Sequence, residues 1–353
     1  MVTAPLPIIG YPRTTLGHAL AGAGVPEGHA ARLFGHLHRR QSGVEAFTAM
    51  SAAQRARTEA HFPPLVCEPA EAHPTADGTE KLVFRLSDGA RVEGVCIPEG
   101  PRTTFCVSSQ VGCAMACAFC ATARLGLARA LTPAEIVGQI YAAAPRCAAA
   151  GRPLRNVVFM GMGEPLHHYE STRDALSILT DPGGLALAYD RITVSTVGLA
   201  PRIAQLGRDF GGRIQLALSL NAGTDATRRR LMPITARYDM AALRDAVAAY
   251  PLRPNRGVLV EYVLLRGVND TPEELSALAT WARGLPVVVN LIPWNPFESA
   301  DFEAPLPADV DRAFAMLVGW GVRVKVRLPR GRAAAAACGQ LALQSKTPTQ
   351  EAS

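Results

Sequence analysis

Lysine is almost absent from this 353-residue chain: Lys81, Lys325 and Lys346 are the only ones among 36 lysines and arginines. The net charge of +6 and the isoelectric point of about 9.0 are therefore carried by arginine. Arginine forks phosphates bidentately and stacks on bases, which suits an RNA or DNA partner. A genome-wide bias towards arginine and alanine accounts for the same balance equally well. No apolar run is long enough to span a bilayer. Met1 to Gly10 lacks the basic start and apolar core of a secretory signal. A cytoplasmic protein without a membrane partner is therefore expected, and a monomer. Nor do the eight cysteines suggest a secreted disulfide framework, since several crowd into one short stretch, as in metal binding in a reducing compartment. The length suits one large α/β domain plus a small one.

What is present centres on Phe105 to Gly126, FCVSSQVGCAMACAFCATARLG. Cys113, Cys117 and Cys120 follow a C-x3-C-x2-C spacing, with no obvious fourth ligand beside them. Three thiolates this close can hold three corners of a cubane [4Fe-4S] cluster and leave one iron open. An open iron can chelate the amino and carboxylate groups of S-adenosylmethionine (SAM) and pass one electron into the sulfonium, the radical-SAM arrangement. Two other readings stay open on spacing alone. One is a structural zinc site with Cys106 as its fourth ligand. The other is three unrelated core cysteines.

Residues 1–62 read as a helical accessory domain. Leu33, Phe34 and Leu37 recur at helical spacing, and Ser51 with Gln54 forms a capping-box signature. His36 and His38, two positions apart, point in different directions and read as solvated. Residues 63–101 read as a linker, over 63–76, followed by a hairpin whose strands flank Asp88-Gly89. Glu93 lies in its second strand. From residue 102 to 341, β-branched runs alternate with helical stretches. Strands are expected at 104–108, 156–160, 191–195, 215–220, 258–264 and 287–292. Helices are expected near 133–144, 170–180, 200–207, 225–231, 240–250, 272–283 and 307–319. Thr132-Pro133 and Thr271-Pro272 read as N-cap plus N1-proline starts. The alternation predicts an α/β fold of parallel strands with helical crossovers, too few for a closed eight-stranded barrel. Residues 342–353 read as a disordered tail.

The unusual motifs fall at the carboxyl ends of the expected strands, where parallel α/β barrels place their active sites. They are the cysteine loop, Gly161-Met162-Gly163-Glu164-Pro165, Ser195-Thr196-Val197-Gly198, Ser219-Leu220-Asn221 and Trp294-Asn295-Pro296. Their glycines let backbone approach closely, and their polar groups can hydrogen-bond a nucleoside cofactor.

In CVSSQVGCAMACAFC (106–120), GMGEP (161–165), STVG (195–198), SLNA (219–222), NLIPWNP (290–296) and ACGQL (337–341) the chain resembles the RlmN/Cfr family. These are radical-SAM methyltransferases that act on an adenosine of 23S rRNA. The resemblance covers nearly the whole chain. It implies a partial six-stranded (β/α) TIM-like barrel with an N-terminal helical, RNA-contacting domain. It implies a [4Fe-4S] cluster on Cys113, Cys117 and Cys120, and SAM contacts from Gly163, Glu164, Ser195, Ser219, Leu220, Asn221 and Asn295. It implies methylation of an adenine ring carbon, C2 rather than C8, of 23S rRNA and also tRNA, using two SAM molecules and a one-electron reductase such as flavodoxin. Cys338 would carry the methyl group. Cys106 would resolve the product by a transient disulfide with Cys338. Glu93 would accept the ring proton. The chain departs from the family at Asn221, where many members have His. It departs again at Arg332-Ala333, where many carry an Asp after Arg330-Gly331. Arg323, Lys325, Arg327, Arg330 and Arg332 form a basic stretch that reads as a phosphate grip or as a charged edge strand. The alternatives are a radical-SAM enzyme with a non-RNA substrate and a non-catalytic zinc-stabilised RNA-binding protein.

Overall fold

The computed structural model describes residues 5–297, 300–328 and 330–343, apart from the side chain of Arg332; the expected disordered tail lies, beyond residue 343, outside the described residues. Three helices come first: α1 (Arg13–Gly22), α2 (Ala30–Arg39) and α3 (Ala52–His61). Ser51 caps α3 in a reciprocal capping box with Gln54. The histidines of α2 are not solvated. His38 is fully buried and its Nδ1 meets the Tyr141 hydroxyl at 2.6 Å, while the His36 Nε2 meets the Gly43 carbonyl at 2.9 Å. Burial pushes the His38 imidazole down to about 4. The buried face of α2 is wider than its Leu and Phe positions suggest, because the imidazoles find polar partners inside.

Residues 63–76 are not a linker. They hold β1 (Cys67–Pro74), antiparallel to β2 (Glu80–Leu86). Prolines 69 and 74 made this stretch look irregular. They are tolerated because β1 is the edge strand, with Pro69 at a break in register and Pro74 at the strand end. The hairpin continues into β3 (Arg91–Glu99), turning at Gly89 with φ of 82° while the Asp88 carboxylate accepts the Ala90 N–H.

β4 (Arg102–Cys106) joins the antiparallel hairpin to the parallel strands. A ribbon of β5 (Gln110–Gly112) and β6 (Leu127–Ala130) closes the base of the cysteine loop, and α4 (Pro133–Ala149) then crosses back. The parallel strands follow as β7 (Leu154–Phe159), β8 (Ile192–Thr196), β9 (Gln215–Ser219), β10 (Val258–Leu264) and β11 (Val287–Pro293). Their crossovers are α5 (Tyr169–Thr180), α6 (Ala200–Phe210), α7 (Asp225–Leu231) with α8 (Met240–Ala248), and α9 (Pro272–Ala282). Helix α10 (Pro307–Gly319) leads to a short seventh parallel strand, β12 (Val324–Val326), where the basic stretch begins. The sheet runs from β1 to β12 without closing. It is the expected α/β fold, an open, mostly parallel partial barrel.

Register fixes which side chains face the lumen. Val95 pairs with Cys106, Glu93 with Val83 and Lys81 with Val95, so Lys81, Glu93 and Cys106 share one face. Cys96 pairs with Phe105 on the other face.

Helix α4 holds the cysteine segment from behind. Thr132 accepts the Glu135 N–H, and Glu135 in turn accepts the Thr132 N–H and pairs with Arg129 of β6. Thr132→Ala should lower unfolding stability by about 1 kcal/mol, as typical loss of an N-cap does. Denaturant unfolding checks this, and an unchanged midpoint would show that the cap contributes nothing.

Candidate active site

The strand ends surround a cavity with about 910 Å³ of empty space. Cys113, Cys117, Cys120, Cys338 and Gly339 all line it. The chain reaches this arrangement through local constraints. The Gln139 amide of α4 clamps both backbone groups of Ser108. The Cys113 N–H donates to Gly126 and the Ala118 N–H to Leu231. Ala116 takes a positive φ of 51°, which turns the loop between the first two cysteines. Met115, Phe119, Leu231, Met232, Leu265 and Trp294 pack around Cys113 and Cys117, and the Trp294 indole donates to the Phe119 carbonyl at 3.0 Å.

Burial pushes Cys113 up to about 12 and raises Cys117 and Cys120 as well. A bare thiolate is disfavoured here, so binding a cluster would displace these protons to solvent as the sulfurs bond iron. Among the described residues no three donor side chains converge on a single ion. Tetrahedral zinc needs four converging donors. A cubane instead takes each thiolate on a different iron, and three neighbouring thiols lining one cavity fit that group.

Glu164, near enough to Cys113 and Cys117 to raise the cost of charging both, is buried. Its carboxylate accepts the N–H groups of Val197 (2.8 Å) and Leu166 (3.0 Å). Gly163 lines the cavity at φ of 103°, and a Cβ there would lie 2.6 Å from the Gln110 side chain. A Cβ on Gly161 would lie 2.7 Å from both the Ser108 hydroxyl and the Val107 carbonyl. These glycines therefore let the GMGEP turn press against the chain leading into the cysteine loop. The Ser195 and Ser219 hydroxyls stand 3.4 Å apart at the rim. Asn221 lines the cavity in a left-handed backbone conformation, φ 59°, which Asn tolerates better than most residues. Its Oδ1 is committed to the Val263 N–H at 2.9 Å, so part of its amide holds β9 to β10.

Four expected site residues lie outside this lining. Leu220 is fully buried behind it. Asn295 lines a neighbouring pocket that shares Ile292, Arg327 and Cys338 with the main cavity. Cys106 is buried in β4, close enough to Cys338 for a charge there to raise the cost of charging Cys106. Burial first, and Cys338 second, push Cys106 up to about 12. Glu93 is fully buried on the same face as Cys106. Its carboxylate is 2.9 Å from the Lys81 ammonium, although neither oxygen is in good hydrogen-bonding alignment. All eight cysteines are free.

Three further groups escaped sequence reasoning. Arg327 does not simply extend the basic edge: it lines the cavity beside Cys338, whose charge is the first cause holding its guanidinium charged. Glu261 also faces the cavity, held to Asn290 at 3.0 Å, with its second oxygen unpartnered. A charged residue within the apolar strand Val258-Leu259-Val260-Glu261-Tyr262 was the available signal. Arg228 is fully buried and donates to the carbonyls of Val197, Ser219 and Leu220 and to the Thr235 hydroxyl. It ties α7 to the ends of β8 and β9. Within an arginine triplet, only helical phase distinguishes it from Arg229 and Arg230.

An open parallel barrel with a three-cysteine loop over such a cavity defines a radical-SAM enzyme. The Radical SAM superfamily model matches residues 107–279. The chain is 43% identical over 339 residues to the dual-specificity RNA methyltransferase RlmN of Anaeromyxobacter dehalogenans, covering 94% of this chain and 91% of that protein. It is 50% identical over 276 residues to a probable RNA methyltransferase of Sorangium cellulosum, covering 78% and 69%. The crystal structure of a radical SAM methyltransferase from Sphaerobacter thermophilus superposes with a TM-score of 0.89 at 40% identity, covering 96% of this chain and 99% of that one. The chain belongs to the RlmN family of radical-SAM RNA methyltransferases. A [4Fe-4S] cluster and SAM are its cofactors. Among the described residues no helix is long and apolar enough to cross a membrane.

Burial pushes Glu164 up to about 7, against the two backbone hydrogen bonds. The folded value lies above the unfolded one of 4.5. Its stabilising contribution is therefore full below the unfolded value and lost as pH rises through about 7. A cationic ligand would reverse that preference by favouring the carboxylate. SAM affinity should rise by at most about tenfold per pH unit up to pH 7 and then level off. Glu164→Gln should flatten the profile. Calorimetric titration across pH checks this, and a slope surviving in the variant would assign it to another group.

Proposed function

We propose that this enzyme methylates a ring carbon of adenine, C2 rather than C8, in 23S rRNA and in tRNA, with Cys338 as the methyl carrier. The observation that carries this reading is the placement of Cys338 and Arg327 on the same cavity as Cys113, Cys117 and Cys120. Whole-chain similarity to RlmN proteins supports C2 over C8, and their dual-specificity description supports more than one RNA substrate. When bound, the cluster and SAM supply the one-electron chemistry that an electron-poor amidine carbon requires.

The chain's own residues do the rest. Arg327 places a cation beside Cys338, whose sulfur accepts a methyl group by displacement. Cys106 shares the lumen side of β4 and, as a thiolate, attacks the thioether sulfur; the C–S electron pair passes to the product carbon, which takes a proton to become the methyl group, and an external reductant reopens the resulting disulfide. Glu93 lies on that same face and takes the ring proton. Lys81 holds its carboxylate there until substrate arrives. Apolar packing around the cysteines keeps water from quenching reactive carbon. The N-terminal helices and the basic residues Arg323, Lys325 and Arg330 would contact RNA phosphates. A one-electron reductase such as flavodoxin, a monomeric state and a cytoplasmic location complete the proposal.

Cys338→Ala should abolish RNA methylation. Cys106→Ala should stall after carbon–carbon bond formation and accumulate a covalent protein–RNA adduct. Denaturing gels with labelled rRNA and tRNA read both outcomes. Methylated adenosine from Cys338→Ala would overturn the carrier role, and free product from Cys106→Ala would overturn the resolving role.

A further inference from the structure

Two more thiols meet on the opposite face of the same sheet. Cys96 pairs in register with Phe105, so it faces away from Cys106 and the lumen. Cys147, in the last turn of α4, comes to meet it. Their sulfurs are hydrogen-bonded at 3.6 Å, and the residues are only 6% and 4% exposed. The reaction proposed above uses neither. The shared proton pulls Cys147 below the ordinary thiol value and pushes Cys96 up, so Cys147 is the readier thiolate. Thiolates are the forms that react with peroxides and disulfides. Pro145, two residues before Cys147, has no N–H for an intrahelical bond, so the last turn of α4 lacks one of its backbone hydrogen bonds.

We propose that Cys96 and Cys147 form a reversible disulfide site, closed by a peroxide and reopened by cellular thiols, that staples the cluster-bearing segment when the cluster is lost. The Cys147 thiolate attacks a peroxide oxygen, breaking the O–O bond to give a sulfenic acid and, for hydrogen peroxide, one water. Cys96 then attacks the sulfenic sulfur and expels a second water. Overall, two thiols lose two electrons and two protons, and one peroxide becomes two waters. The sulfurs must close by about 1.5 Å to reach a disulfide bond length of about 2.05 Å.

The location gives the bond its purpose. The two residues are 51 positions apart, and Cys106, Cys113, Cys117 and Cys120 lie between them. With the cluster in place, three metal-bound thiolates hold this segment together. Without it, a Cys96–Cys147 bond fastens the strand at one end to the helix at the other, limiting how far the empty loop unfolds. The site stands whether or not the methyl travels through Cys338.

The test uses anaerobically purified holoenzyme exposed to graded hydrogen peroxide, with free thiols then blocked and peptides mapped without reduction. The Cys96–Cys147 cross-link should appear as cluster absorbance falls and vanish on reduction with dithiothreitol. Cys147→Ser and Cys96→Ser should keep the activity of the reduced enzyme. After peroxide, reduction and iron–sulfide reconstitution, each should recover several-fold less cluster than the parent. Two results would overturn the proposal: both thiols still alkylated after the cluster has gone, or equal cluster recovery in parent and variants. The wild-type map decides even if a variant folds poorly.

Discussion

Two hydrogen bonds bring together parts of the chain that are far apart in sequence. The Ala121 N–H donates to the Gly339 carbonyl, and the Thr122 hydroxyl donates to the Leu341 carbonyl across 219 positions. They fasten the loop bearing Cys338 to the chain directly after Cys120. Arg330 donates to the Pro98 carbonyl and the Gly331 N–H reaches Asp77, so the other end of that loop rests on the β-hairpin extension. The loop is thus anchored at both ends, and Cys338 is held on the cavity between them. Effective molarity of this kind is how a fold turns two distant thiols and a cofactor site into one reaction centre.

The cavity itself depends on buried charge with assigned partners. A guanidinium sealed in apolar surroundings is costly unless its donors are used. Arg228 spends its donors on carbonyls at the ends of β8 and β9, and burial still pulls it down to about 10. Those are the strand ends that carry Ser195 and Ser219. Lys81 and Glu93 make a second buried pair, and Arg327 and Glu261 set charge on the cavity wall. Each of these groups combines burial with a specific neighbour, the pattern expected where chemistry is done rather than where a core is filled.

Much of this was legible in the sequence because local signals and site signals agreed. Thr132-Pro133 and Thr271-Pro272 start helices as read, and β10 spans Val258–Leu264 as expected. The three cysteines and five of the SAM-contact candidates, Gly163, Glu164, Ser195, Ser219 and Asn221, line one cavity. What failed was decided by tertiary contacts that leave no local trace. β1 looked like a linker because its prolines are compatible only with an edge. His38 looked solvated because its partner, Tyr141, lies 103 positions away. Arg327 looked like part of a phosphate grip because the turn of the chain after β12 is not written in its charge. Asn221 looked like a ligand contact alone, whereas its left-handed backbone gives it a structural duty as well.

The central claim is that a methyl group passes through the sulfur of Cys338 on its way to RNA. The most direct measurement follows that methyl: the enzyme is incubated with SAM deuterated in the methyl group, without RNA, and its peptides are examined by mass spectrometry. The account predicts the label on the peptide containing Cys338, and its transfer to adenosine when RNA and reductant are added. An unlabelled Cys338 peptide from enzyme that still delivers the label to RNA would contradict it.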